Sequence, residues 1–118
     1  MRQADELRER TKQFAIRIVR LFQALPKGTD AQIMGKQLLR CGTSVGANYR
    51  AVCRARSRNE FIARIAIVAE EADESVFWLE LMEETKVLTP KQLEEILKEA
   101  RELAAIFSAS HKTAREHR

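Results

Sequence analysis

The sequence predicts an all-α protein, an up-down-up-down four-helix bundle built as one domain over residues 1–118. Apolar residues recur at alternating spacings of three and four in four successive segments, the signature of an amphipathic helix seam. Chain-breaking residues are scarce, with 4 Gly and 2 Pro in the whole sequence, too few for a sandwich that turns every 8–12 residues or so. A chain of 118 residues that is 45% apolar and 32% charged closes one modest core and is too apolar to stay disordered.

The first stripe is Leu7, Thr11, Phe14, Ile18, Leu21 and Leu25, which places a helix over about residues 4–25. Leu25-Pro26 followed by Lys27-Gly28-Thr29 ends it, because Pro disfavours helical geometry in the residue before it. Asp30 is then positioned to cap a second helix over about 31–56. Its stripe is Met34, Leu38, Cys41, Val45, Asn48, Val52 and Ala55. Gly42 and Gly46 interrupt it chemically but not in phase. Two short helices around a loop are one reading. A single long helix, whose glycines let another backbone approach within the bundle or between subunits, fits the unbroken stripe better.

Ser57-Arg58-Asn59-Glu60 has capping-box spacing and opens a third helix over about 58–85. Its seam runs Phe61, Ile62, Ile65, Val68, Ala69, Ala72, Val76, Leu79 and Met82. Thr89-Pro90 opens the fourth helix, with Thr as cap and Pro at the first helical position, over about 90–112. Its stripe is Leu93, Ile96, Leu97, Ala100, Leu103, Ala104 and Phe107, and residues 111–118 read as a frayed tail. Helices of this length make a bundle about 35–40 Å long.

Several apolar residues exceed what one seam per helix needs. Ile16 and Val19 lie off the first seam; Ile67, Trp78 and Leu81 share a face off the third. A second stripe that includes the only Trp points to a subunit interface, with cover by loops or tail as the alternative. Glu74 and Glu71 stand one and two turns before Trp78 and want basic partners, which Arg40 and Arg50 could supply. Asn48 occupies a seam position, where it must find hydrogen bonds and serves register or packing more readily than chemistry.

The formal net charge is +4, a mild pointer to a polyanionic partner. From Arg40 to Arg64 the chain carries Arg40, Arg50, Arg54, Arg56, Arg58 and Arg64 against the single acid Glu60. Arg50, Arg54 and Arg58 are four apart and share a face if the helix persists. The forked, permanently charged guanidinium suits phosphate. Aromatics make up only 6%, which argues against platforms that stack unpaired bases. Residues 70–84 hold seven acids and no base, so charge could instead serve pairing between subunits.

Sites for enzyme chemistry are lacking. His111 and His117 are six apart in the tail, and the acids Glu70, Glu71, Asp73 and Glu74 have no His nearby, so neither a catalytic metal nor another cofactor is expected. No strand leads into a phosphate loop. Cys41 and Cys53 lie about 18 Å apart on one helix and cannot bridge within the chain. They suit small buried positions in a reducing compartment. With no apolar leader and no membrane-length apolar run, a soluble cytoplasmic protein is expected.

The segment Gln37-Leu38-Leu39-Arg40-Cys41-Gly42-Thr43-Ser44-Val45-Gly46-Ala47-Asn48-Tyr49-Arg50 closely resembles the signature of the bacterial four helix bundle, or 23S rRNA intervening-sequence (S23), protein family. Arg10-Thr11-Lys12-Gln13-Phe14-Ala15, Arg54–Ile62 and Glu71–Leu81 match as well, so the resemblance spans roughly residues 6–107. Ala51 and Val52 stand where members often carry an acid. The resemblance implies a ring-shaped homopentamer of up-down bundles with no known enzymatic activity. Some members are encoded inside insertions in 23S rRNA genes. A related branch, the accessory variability protein of diversity-generating retroelements, binds nucleic acid and a reverse transcriptase. Two functions follow as expectations: a non-enzymatic oligomer that binds RNA or DNA through its arginines, or an interaction scaffold whose charged faces serve assembly.

Overall fold

Four helices, α1 (Arg2–Gln23), α2 (Thr29–Cys53), α3 (Arg58–Glu84) and α4 (Pro90–Glu116), make up the computed structural model, which describes residues 2–117. They form a rod of 46 × 22 × 22 Å. Each helix packs chiefly on its neighbours in sequence, and the closing seam between α1 and α4 is the thinnest. Arg10 spans that seam, donating from Nε to Glu99 Oε2 and from Nη2 to Glu102 Oε1, each at 2.7 Å. The Glu99 hydrogen bond raises the guanidinium pKa above its ordinary value.

Local chemistry sets most boundaries. Ser57 Oγ accepts from the Glu60 N–H at 3.1 Å. Thr89 and Gln92 form a complete capping box with Pro90 in the first turn. Asp30 does not cap α2. The helix begins two residues earlier, at Thr29, with Gly28 extended at the N-cap and its carbonyl accepting from Gln32 N–H at 3.0 Å. Asp30 sits inside the first turn, where its charge suits the positive helix end. α3 ends without glycine: Lys86 takes φ 62°, and Val87 N–H reaches Met82 O at 3.0 Å while Lys86 N–H reaches Glu83 O at 3.2 Å, a Schellman closure.

α2 is one unbroken helix through both glycines. A Cβ on Gly42 would lie 2.9 Å from Ile18 Cγ1, and one on Gly46 would lie 3.2 Å from the Thr11 carbonyl oxygen. Of the two approaches open to Gly42 and Gly46, within the bundle or at a subunit interface, the contact seen is the one within the bundle, to α1 of the same chain. Two further expectations change. α2 stops at Cys53, three residues early, where the Arg54 N–H closes onto Ala51 O and Val52 O. Residues 111–116 continue α4 rather than fray, since His111 and Ala114 are half-buried and Arg58 donates to Ala114 O at 3.4 Å; Arg118 lies outside the described residues.

The core is the set of four stripes, with Phe14, Ile18, Leu38, Val45, Ile65, Val68, Leu79, Leu93, Leu103 and Phe107 almost fully buried. Asn48 is not among them. The α2 seam steps Val45, Tyr49, Val52, and the Tyr49 ring packs 5.3 Å from that of Phe107. That phase turns Asn48 to a half-buried flank, where its amide donates to Ser44 O at 2.9 Å. Buried Ser75 was not anticipated; its hydroxyl is 2.8 Å from Glu71 O and 3.4 Å from Cys41 Sγ.

Candidate nucleic-acid interface

The Gly46–Thr11 contact decides where charge collects. Because α2 lacks a side chain there, α1 and α2 lie close, and the residues flanking the contact face one another across it. From α1 these are Arg8 and Lys12; from α2 they are Arg50 and Arg54. All four line two adjoining clefts of about 560 and 420 Å³. The inner cleft is bordered by Ala15, Thr43, Gly46 and Ala47, the outer by Asp5, Glu9 and Cys53. Arg8 pairs with Asp5. Lys12, Arg50 and Arg54 make no ion pair among the described residues. Like charges held together by packing favour any anion that can enter.

The predicted arginine face is divided by the fold. Arg50 and Arg54 stay together, but the chain leaves helical geometry after Cys53, so Arg58 belongs to α3 and turns toward Ala114 O. Arg56 is exposed in the linker. Arg64 pairs with Glu60 at 3.4 Å. Arg40 lies outside the cleft, paired with Glu74 and, at 3.2 Å, with Glu71. Those are the acids the sequence singles out, but Arg40 alone answers them; Arg50 does not. Arg8 and Lys12 were missed. Their signal was a basic pair four apart flanking Thr11, visible only once Thr11 is known to face Gly46.

Cys53 is exposed in the outer cleft rather than buried, while Cys41 is buried, and both are free. Burial pushes the Tyr49 hydroxyl up to about 12, with the adjacent Cys53 adding to it. Burial likewise raises the Cys41 thiol. Among the described residues no group of three His, Cys, Asp or Glu side chains could hold a metal ion.

A second surface runs along α3. Ile67 and Phe77 are 45% and 54% exposed, so neither loop nor tail covers them. Trp78 and Leu81 are half-buried against the core, and Trp78 Nε1 donates to Glu74 Oε2 at 3.4 Å. Phe77, absent from the predicted stripe, meets Trp78 edge-on at 5.0 Å. On α1, Val19 is exposed and Ile16 half-exposed; both border a cavity of about 330 Å³ that adjoins the inner cleft at Lys12 and Ala15.

The chain matches the 23S rRNA-intervening sequence protein family over residues 5–109. It is similar to a crystal structure, of a protein with unknown function from the S23 ribosomal protein family of Bacteroides thetaiotaomicron. Identity is 37%, with a TM-score of 0.81 over 89% of this chain and 97% of that one. No curated protein matches. Sequence and fold agree over nearly the whole length, and the chain belongs to the 23S rRNA-intervening sequence protein family.

Proposed function

We propose that this protein is a non-enzymatic bundle that binds the backbone of RNA or DNA in the α1–α2 cleft, as a ring-shaped homo-oligomer that repeats the cleft around an axis. The observation that carries the reading is the convergence of Arg8, Lys12, Arg50 and Arg54 from two helices, with only Arg8 paired. Each subunit then offers a modest electrostatic contact, and the ring multiplies it by avidity. Repetition as a homopentamer is what the family resemblance implies. The exposed Ile67 and Phe77 beside acidic side chains give a surface for that pairing, with Ile16 and Val19 on α1 as an apolar counterpart. Two free cysteines suit a reducing cytoplasm, and no helix of the described residues is long and apolar enough to cross a membrane.

The test is the double variant Arg50→Gln/Arg54→Gln. Both side chains are exposed, so helix content and thermal midpoint should hold while affinity for RNA and DNA falls on all sequences alike. Undiminished binding by the double variant would remove the cleft from the account. The Arg40–Glu71–Glu74–Trp78 network favours a second reading, an assembly scaffold or accessory subunit for a protein such as a reverse transcriptase. A ring that forms and binds no nucleic acid would favour it.

A further inference from the structure

We infer that a single phosphodiester backbone lies lengthwise in the α1–α2 cleft and engages it at three successive levels, with Arg8 and Lys12 as phosphate ligands beside Arg50 and Arg54. The inference rests on the nucleic-acid reading above and adds the course of the ligand. α1 and α2 run antiparallel with Thr11 facing Gly46. Three residues out from Thr11 is Arg8; four residues out from Gly46 is Arg50; the two are level. Lys12 stands one turn inward of that pair and Arg54 one turn outward. Four residues advance a helix by about 6 Å, so the charges occupy three levels across about 12 Å.

That distribution is two short rows running parallel to the helix axes. A compact anion such as inorganic phosphate would satisfy one level and leave the others repelling one another. A chain of regularly spaced charges satisfies all three. The short side chains of Ala15, Thr43, Gly46 and Ala47 let such a chain settle between the two rows of cations. No aromatic lines the cleft, so nothing there stacks a base, and the ligand is held by its backbone alone. Asp5 and Glu9 line the outer cleft as well, within the span of the three levels, and Asp5 is paired with Arg8.

Single strands and duplexes both present such a backbone, so the probes are a labelled oligouridine and a labelled RNA duplex of equal length, titrated against salt. Arg8→Gln and Lys12→Gln are compared with Lys98→Gln, which removes the same charge from the exposed face of α4. Arg8→Gln and Lys12→Gln should each weaken both probes several-fold and lower the salt slope by about 1, with helical circular dichroism unchanged. Lys98→Gln should alter neither. If the α1 variants behave like Lys98→Gln while Arg50→Gln/Arg54→Gln still loses binding, the lengthwise track is wrong and the cleft reading survives. If wild type binds neither probe, both fall. Displacement of the oligonucleotide by inorganic phosphate at equal phosphate concentration would show a compact anion site and overturn the track.

Discussion

Gly46 sets how closely α1 and α2 approach at the cleft. A Cβ there would lie 3.2 Å from the Thr11 carbonyl oxygen, so the backbone of α1 would have to give way, and backbone yields less readily than a movable side-chain tip. Gly46→Leu should therefore destabilise the protein by about 1–3 kcal/mol or more, despite the better helix propensity of Leu. It should also separate Lys12 from Arg50 and weaken nucleic-acid binding. Urea denaturation checks the first effect, and a more stable variant would contradict the close approach. Tyr49 makes a second residue-scale prediction. Its hydroxyl rises from 10.0 to about 12 in the folded chain. Below pH 10 it is protonated folded or unfolded, and its contribution is complete. Between pH 10 and 12 the unfolded chain releases the proton first, so stability falls with rising pH, by on the order of 2 kcal/mol. Tyr49→Phe should show a smaller alkaline loss in urea midpoints measured across that window.

At the scale of elements, helix starts were legible because their chemistry is local. Ser57 and Thr89 act as the caps their spacing announces. Helix ends were less legible. α2 closes on Arg54 with neither Gly nor Pro to mark the stop, and the apolar stripe continues through Ala55 as though the helix did too. The predicted Arg50–Arg54–Arg58 face depended on that continuation and breaks with it. α3 ends on a lysine in left-handed geometry, where composition suggests nothing. The α3 surface carries its own prediction. Phe77 is exposed, so under the proposed ring assembly Phe77→Ser should leave circular dichroism unchanged but lower the mass seen by light scattering. Trp78→Ala removes a partly buried aromatic and should reduce both assembly and stability, the latter by up to about 3–5 kcal/mol. Unchanged mass in both variants would exclude this surface as the subunit contact.

At the scale of the whole molecule, the bundle acts as a frame that sorts charge. On α3 and α4, Glu71 and Glu74 are answered within the chain by Arg40, Glu80 by Arg101, and Glu99 and Glu102 by Arg10. Among the described residues, Lys12, Arg50 and Arg54, which lie together along the α1–α2 edge, make no ion pair. The stripes made the four-helix architecture readable from sequence, since each helix must bury one face. They did not reveal which charges end up adjacent, because that depends on the register between α1 and α2. Arg8 and Lys12 look like members of an ordinary solvated face until Thr11 is placed against Gly46. The net charge of +4 does not tell where cations collect; the cleft gathers four of them against the two acids Asp5 and Glu9. The most direct test of the account is the salt dependence of RNA binding by the wild-type protein and by Arg50→Gln/Arg54→Gln. Logarithmic affinity should fall linearly with logarithmic salt, with a slope of about −0.9 per duplex phosphate engaged, and the double variant should show a slope shallower by about 2. A wild-type affinity indifferent to salt, or an identical slope in the two proteins, would contradict it.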